Sequence, residues 1–283
     1  RRCTSSKPES FIRGRRPDKL RIVFAATDPH CAGVLYERVL ATGAYTHFVN
    51  FQPHFSPLFQ HLRHIKMISM PVGFDARRFP SRDGIPSPEV DISFVGHTGI
   101  AGLEFEEEDE IGLYTERLPY NLPTDIRRYA SHGLPSLDYC QRAELLIRLM
   151  GQFRVRIYRS VWDLKYQAAL QKGAIGFHRS LLNDIAIRCF EIPAAGRLLI
   201  ADRVPHLDTL FRDHLDCSFY QSYYFPLYGN FDLEAARVIR MVCDHLNSDR
   251  LREMVAENGH ELAWRAHQWR HRAIRMLEFV LNT

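Results

Sequence analysis

The chain has 283 residues, of which 46% are hydrophobic, 25% charged and 12% aromatic. These values are typical of a packed globular protein and exclude wholesale disorder and fibrous repeats. The length suits one large domain or two domains of ordinary size. No window approaches about 18 uncharged apolar residues, so the sequence predicts no membrane-spanning helix.

Basic residues are concentrated at one end of the chain. The net charge is +4, but residues 1–20 carry seven Lys or Arg against two acidic residues. The remainder carries 30 basic and 31 acidic side chains, which does not indicate a nucleic-acid-binding protein. We therefore expect residues 1–18 to form a basic, poorly ordered tail. Because no apolar stretch follows the basic residues, no signal peptide is predicted.

Cysteine spacing indicates neither a disulfide framework nor a zinc site. The six cysteines are scattered and form no CxxC pair. Reduced thiols in a cytoplasmic protein are therefore the expectation. The cysteines are Cys3, Cys31, Cys140, Cys189, Cys217 and Cys243.

Strand-like and helix-like segments alternate from Lys19 onward, which predicts βαβ units around a parallel sheet. Three strands in about 55 residues make a small first lobe, and the chain opens at Arg1 with no initiating Met. We therefore expect further strands to precede this block in a longer gene product. The first block is predicted to contain strands at 21–27, 46–49 and 66–70, and helices at 32–42 and 54–63.

A stretch rich in Pro, Gly, Arg and Ser, residues 76–88, predicts a linker to a second block. The second block, residues 89–283, contains an insertion at 97–138, whose acidic run is interpreted as a solvated loop or face. We predict a second α/β lobe followed by a helical C-terminal tail. Its predicted elements are strands at 90–96, 154–158, 174–178 and 197–201, and helices at 139–150, 162–171, 184–195, 232–247, 249–263 and 264–281.

The segment from Phe177 to Gly196 carries the most chemical information. It follows a predicted strand, and in a parallel sheet the ligand crevice lies beyond the carboxyl ends of the strands. Asn183 or Asp184 suits the N-cap of the predicted helix, whose free amides would bind an anion. Pro193 predicts that the helix is short or bent, and Gly196 suits its C-terminal cap.

Asp184, Arg188 and Glu191 share one face of that predicted helix. The helix amides and Arg188 could hold phosphate, and Glu191 could accept ribose hydroxyls, which would suit a nucleoside diphosphate. The alternative is an ordinary capped helix with a surface pair between Asp184 and Arg188. Spacing alone leaves both interpretations open.

The same segment resembles the donor-binding motif of GT-B glycosyltransferases, in which an acidic residue precedes E-x-x-A-x-G. Residues 191–196 match the second half of this motif, and Asn183 stands where the motif has its first acid. The wider run is more similar to the CgeB-type spore-maturation glycosyltransferase-like proteins, over roughly residues 89–283. Five of their motifs occur here in order, at 94–96, 142–146, 166–170, 183–196 and 267–272.

The resemblance implies a GT-B fold of two Rossmann-like lobes with parallel sheets, of which the first is incomplete here. Residues 19–75 would form the acceptor-side lobe, and residues 89–283 would form the lobe that binds the nucleotide-sugar. The final helix of GT-B proteins commonly crosses back to the first lobe, so the resemblance implies the same course for the C-terminal helix of this chain. We expect the apolar stripe from Trp264 to Val280 to pack partly on residues 19–70.

The resemblance also assigns donor-binding roles to individual residues. Glu191 would bind the donor's ribose, and Asn183 and Asp184 would lie near its phosphates or sugar. Because Asn183 is uncharged, contacts to the sugar are expected to differ from those of the family. Arg142 would offset charge on the leaving diphosphate without a metal ion. Gly96 would let the backbone approach the ligand, or it simply forms a strand-end turn.

Several other residues have both a structural and a functional interpretation. His30 could act as an acid or base, or could make a structural hydrogen bond in its loop. Trp162 and Tyr166 could flank a nucleobase or fill the core. His267 and His271 could bind a metal, but no third ligand accompanies them, so packing is favoured and no metal is expected.

Together these features predict a metal-independent glycosyltransferase without an organic cofactor. A nucleoside diphosphate sugar would be the donor, and the acceptor could be a glycan, a protein or a small molecule. His30, Arg142 and Arg188 are the catalytic candidates. The alternatives are a nucleotide-sugar epimerase of the same fold and a non-catalytic binding module, in which the departure at Asn183 would mark lost activity.

Overall fold

The computed structural model describes residues 21, 23–26, 39–79, 84–96, 98, 134–158, 161–181, 183–222 and 231–283. The predicted tail 1–18, His30 and residues 99–133 of the predicted insertion lie outside these ranges. Contacts divide the chain into two compact units. The first is Arg1–Val72 with Arg270–Thr283, and the second is Gly73–Trp269.

The first unit contains a parallel sheet of three described strands in the order β1-β2-β3. All three coincide with strands that the sequence predicts. The helix predicted at 54–63 is wrong, because a 3₁₀ helix at Pro53–Phe59 stands there and contains Pro57, which lacks an amide hydrogen. The strands are β1 (Val23–Ala26), β2 (His47–Asn50) and β3 (Lys66–Ser69).

The second unit contains a parallel sheet of five strands in the order β5-β4-β6-β7-β8. Four of them follow the predicted apolar runs, whose side chains are mostly buried as in a sheet covered on both faces. The fifth, β8, was not predicted, because three residues are too short a run to show a pattern. The strands are β4 (Val90–Val95), β5 (Val155–Tyr158), β6 (Gly173–His178), β7 (Leu198–Asp202) and β8 (Ser218–Tyr220).

Six complete α-helices lie within the described residues, and residues 39–41 are the helical end of the segment predicted at 32–42. Three further predicted helices differ from the structure. The helix predicted at 139–150 begins at Leu134, so residues 134–138 belong to it and not to the predicted insertion. The helix predicted at 184–195 begins only at Arg188, and the single helix predicted at 264–281 is divided by a break at His267 and Gln268. The helices are α1 (Leu134–Met150), α2 (Asp163–Lys172), α3 (Arg188–Ala194), α4 (Phe231–Leu246), α5 (Asp249–Ala266) and α6 (Trp269–Asn282).

The strand order of the second unit predicts where a ligand binds. From β4 the chain goes to β5 on one side and then crosses to β6 on the other side, so the direction of winding reverses between β4 and β6. A crevice opens at the carboxyl ends of the strands at such a switch point. Gly96 follows β4 and Arg179 follows β6, so these residues border the crevice.

Helix α3 is short and ends where the sequence predicts. The amide of Arg197 donates to the carbonyl of Ile192, and the amide of Gly196 donates to that of Pro193. This pair of bonds forms a Schellman cap, in which Gly196 has a φ of 76°. The cap fixes the direction of the chain from α3 into β7.

Close packing joins α3 to the middle of β6. A Cβ atom built on Gly176 would lie 2.3 Å from Cγ2 of Ile192, so only glycine allows the helix to approach this strand so closely. Arg188 lies one helical turn before Ile192. The contact therefore places Arg188 toward the carboxyl end of β6.

The final helix, α6, packs within the first unit from Arg270 onward. The ring of Phe279 meets the ring of His47 edge-on, with centroids 5.5 Å apart, and Arg21 donates to the carbonyl oxygen of Val280. The expectation that this helix packs partly on residues 19–70 is confirmed. The contact is partial, since Leu277 of the apolar stripe is 55% exposed.

No helix within the described ranges has the length and apolarity needed to cross a membrane.

Replacing Gly176 with Ala is expected to destabilise the second unit by about 1–3 kcal/mol, because the added methyl group collides with Ile192. Urea unfolding followed by circular dichroism measures the change. Gly151→Ala is the matched control, since the nearest atom to its added Cβ would be 3.5 Å away. Equal stability of the two variants would contradict the close packing of α3 on β6.

Candidate functional site

Gly96 and Arg188 meet at the switch point between β4 and β6. Gly96 has a φ of 150°, and a Cβ built on it would lie 3.2 Å from the guanidinium carbon of Arg188. A side chain at this position would be strained and would crowd the guanidinium. The structure thus brings together two of the residues that the sequence singles out, although they belong to different strand–helix units.

Arg142 is a second guanidinium at this point. Its side chain is buried on α1 and donates a hydrogen bond to the carbonyl oxygen of Arg179. Burial lowers the pKa of Arg142 to about 10, and the neighbouring charge of Arg188 adds to the effect. Arg142 therefore keeps its charge at neutral pH. Arg142 and Arg188 therefore lie close enough for their charges to interact.

Arg179 is fully buried and is held by polar partners. Its Nε lies 3.3 Å from Oε1 of Glu234, and its Nη2 donates to Oε1 of Gln141 at 2.7 Å. Arg179 and Glu234 are both inaccessible to solvent. Buried charges require such partners, so this pair stabilises the end of β6.

Glu191 lies on the buried side of α3, about one turn after Arg188. Its carboxylate accepts a hydrogen bond from the hydroxyl of Tyr166 on α2. Burial raises the pKa of Glu191 above its ordinary value, while the bond from Tyr166 and the charges of Arg188 and Arg78 act in the opposite direction. The carboxylate is thus fixed in orientation and weakly solvated.

Asn183 and Asp184 do not cap α3, so the predicted anion site at a helix start at 184 is wrong. Oδ1 of Asp184 accepts from the amide of Leu181 at 2.9 Å, and the amide of Asp184 donates to the carbonyl of Leu181 at 2.9 Å. These bonds close a separate turn, in which Asn183 has a φ of 63°. Asp184 remains close enough to Arg142 to favour its charged form.

Two aromatic residues, Trp162 and Tyr166, lie at the first turn of α2. Trp162 is the N-cap residue of α2 and is 75% exposed, so it does not fill the core. Tyr166 bonds to Glu191, and the guanidinium of Arg78 lies 5.4 Å from the centre of its ring. The indole of Trp162 is therefore accessible to solvent, one helical turn before the residue that bonds to Glu191.

His178 is a polar residue of this site to which the sequence analysis assigned no role. It is the last residue of β6 and is 1% exposed. Burial, Arg188 and Arg142 hold the pKa of its imidazole well below the ordinary value. Its position at the carboxyl end of a predicted strand was a signal that could have identified it.

His267 packs against aromatic rings, as its packing interpretation predicts. The ring of His267 packs between those of Phe190 and Phe211, with centroids 5.2 and 5.0 Å away, and its Nε2 lies 3.3 Å from the carbonyl of Leu210. In the described part of the chain, no three His, Cys, Asp or Glu side chains are grouped so that they could hold a metal ion.

A model of the glycosyl transferase-like family matches residues 105–278, which is more than half of the chain. The chain belongs to the glycosyl transferase-like family. The match includes α3, Arg142 and Glu191, and therefore most of the candidate site. A search of curated proteins found no match.

Solved structures show the same fold at low sequence identity. The chain is similar to sucrose-phosphate synthase from Thermosynechococcus elongatus, with 13% identity, a TM-score of 0.54, and coverage of 96% of this chain and 70% of that one. It is also similar to HepE from Anabaena, solved with UDP and glucose, with 11% identity, a TM-score of 0.57, and coverage of 94% and 72%.

A third similar structure is the pneumococcal O-GlcNAc transferase GtfA, solved with UDP and GlcNAc. Its identity to this chain is 12% and its TM-score is 0.53, with coverage of 89% of this chain and 48% of that one. These similarities confirm the α/β fold with parallel sheets and a helical C-terminal tail, which is the fold of GT-B glycosyltransferases.

Glu234→Gln is expected to destabilise the protein by about 3–5 kcal/mol, because it leaves the buried charge of Arg179 without its counter-ion. The control is Asp232→Asn on the same helix. Asp232 is 83% exposed where it pairs with Arg148, so its loss should change stability by less than about 1 kcal/mol. Thermal and urea unfolding measure both variants, and similar losses would contradict the buried pair.

Proposed function

We propose that this chain is a metal-independent glycosyltransferase whose second unit binds a nucleoside diphosphate sugar. The observation that carries the proposal is the convergence of Arg142 and Arg188 on the crevice between β4 and β6, with Glu191 one helical turn away. Two guanidiniums suit a diphosphate, and a fixed carboxylate suits a ribose diol. Membership of the glycosyl transferase-like family supports the same function.

Each part of the donor has a candidate partner in the second unit. Arg142 and Arg188 hold the diphosphate, and Gly96 gives it room to approach the backbone of the strand end. Glu191, oriented by Tyr166, accepts hydrogen bonds from the ribose. The base stacks on the exposed ring of Trp162. The structures of HepE with UDP and of GtfA with UDP support a uridine diphosphate donor.

The reaction breaks the bond between the anomeric carbon and the oxygen of the diphosphate, and the electron pair leaves with the diphosphate. The acceptor hydroxyl forms the new bond to the anomeric carbon and gives up its proton to a base. Arg142 and Arg188 stabilise the negative charge that develops on the leaving group. His30 is the sequence-based candidate for the base and lies outside the described residues.

The proposal extends to the CgeB-type subgroup, on the strength of its five ordered motifs. Four of these motifs contribute residues to described elements of the second unit, including Arg142, Tyr166 and Glu191. We further propose that residues 19–75 serve the acceptor, which is a glycan, a protein or a small molecule, and that the enzyme acts in the cytoplasm.

Glu191→Gln is expected to weaken binding of the nucleoside diphosphate at least tenfold, or about 1.4 kcal/mol, because an amide accepts ribose hydroxyls less strongly than a carboxylate. The same variant should unfold at a higher temperature at neutral pH. Because the pKa of Glu191 is raised in the folded protein, the folded state binds this proton more tightly than the unfolded state. The free energy of unfolding therefore falls as the pH rises from the unfolded pKa of Glu191 to its folded pKa, and the uncharged Gln avoids this loss.

Calorimetric titration and thermal unfolding test these two effects together. Glu261→Gln replaces an exposed carboxylate on helix α5 and serves as the charge-matched control. Its affinity for the nucleoside diphosphate and its unfolding temperature should stay close to those of the wild type. A Glu191→Gln protein that keeps its affinity, whatever its stability, would remove Glu191 from the donor site.

Binding and any transfer should persist in excess chelator, because the proposed site neutralises the diphosphate with arginines. The measurement compares nucleoside diphosphate binding and sugar transfer with and without EDTA. Activity that disappears in EDTA and returns with manganese or magnesium would overturn metal independence. Epimerised free sugar formed without an acceptor would indicate an epimerase instead.

A further inference from the structure

His178 lies on the same face of the sheet as the charged side chains of α3. Side chains alternate between the two faces of a strand, so His178 and Gly176 share a face, and Gly176 is covered by Ile192. Arg188 lies one helical turn before Ile192, at the start of α3, and His178 lies two residues after Gly176, at the end of β6. Both residues are therefore displaced from the Gly176–Ile192 contact in the same direction. The imidazole is therefore directed toward Arg188, at the carboxyl end of β6.

The backbone around this imidazole is fixed by buried side chains. The hydroxyl of Tyr220 donates to the carbonyl of His178 at 3.3 Å, and Arg142 donates to the next carbonyl. The amide of Ser180 donates to Oδ1 of Asp202 at 2.8 Å. The strand end is thus held rigidly, which is how proteins position groups that bind ligands.

The imidazole itself is left without a hydrogen bond. Among the described residues, neither Nδ1 nor Nε2 of His178 has a partner, although both are buried, and Nε of Arg188 is in the same condition. A buried polar atom without a partner is unfavourable by about 1–3 kcal/mol. Unsatisfied atoms on two neighbouring side chains at a switch point indicate a ligand that satisfies them.

The charged groups around His178 indicate the chemical class of the ligand. Burial, and after it the charges of Arg188 and Arg142, lowers the pKa of the imidazole, and a neutral imidazole carries one hydrogen that it can donate. A donor beside two guanidiniums complements an anion that has several acceptor oxygens. The burial of both nitrogens makes such a bond stronger than it would be in water.

We propose that His178 is a donor-binding residue that hydrogen-bonds to a phosphate oxygen of the nucleoside diphosphate, alongside Arg188. This inference rests on the proposed function. It adds a hydrogen-bond donor of fixed direction to a diphosphate site that otherwise consists of two arginines. The hydrogen bond fixes the diphosphate in the orientation from which the sugar is transferred.

The test measures binding of a nucleoside diphosphate and of its nucleoside. UDP, GDP, ADP, CDP and dTDP are titrated calorimetrically into the wild type, and the tightest is compared with its own nucleoside. In His178→Phe the diphosphate should bind about tenfold more weakly, whereas the nucleoside should bind as before. His245→Phe is the matched control, since His245 is also buried, at 4% exposure, but bonds to Ser218.

Unchanged affinity for the diphosphate in folded His178→Phe would overturn the proposal, and so would an equal loss for the nucleoside. If the variant does not fold, the imidazole nitrogen signals of wild-type His178 are followed by NMR. They should shift with the diphosphate and not with the nucleoside, and no shift would contradict the proposal. A wild type that binds none of the five diphosphates would overturn the proposed function, and this inference with it.

Discussion

The close contact between Ile192 and Gly176 determines where the charges of the site lie. Because β6 has no side chain at this position, α3 approaches the sheet closely enough for its first turn to reach the switch point. Arg188 then stands beside Gly96, and Glu191 points to Tyr166. A helix held further from the strand would keep its sequence motif but would lose this convergence of side chains.

Charge burial is the second constraint on this region. Two guanidiniums, those of Arg142 and Arg179, are buried near the end of β6, where charge is poorly solvated. Arg179 is balanced by Glu234, whereas burial and the neighbouring charge of Arg188 lower the pKa of Arg142. The proposed diphosphate would bring negative charge close to both guanidiniums and so offset their mutual repulsion.

The sequence predicted the features that depend on local patterns. Four strands of the second unit were visible as buried apolar runs, and the C-terminal cap of α3 was visible in Gly196. The start of α3 was not predictable, since the carboxylate of Asp184 bonds back to Leu181 and closes a turn instead of capping a helix. The Arg179–Glu234 pair joins distant parts of the chain and leaves no local pattern.

Glu191 and His178 are both held in environments that disfavour their charged forms. A carboxylate is held where burial raises its pKa, and an imidazole is held where burial and two guanidiniums lower its pKa. Neither environment adds to the stability of the fold, since the first disfavours a charged carboxylate and the second leaves polar atoms without partners. Under the proposed function, the donor would bring hydroxyl groups to Glu191 and a phosphate oxygen to His178, which would satisfy both side chains. The region is therefore arranged for the ligand at some loss of stability, as is expected where a fold holds a binding site in advance.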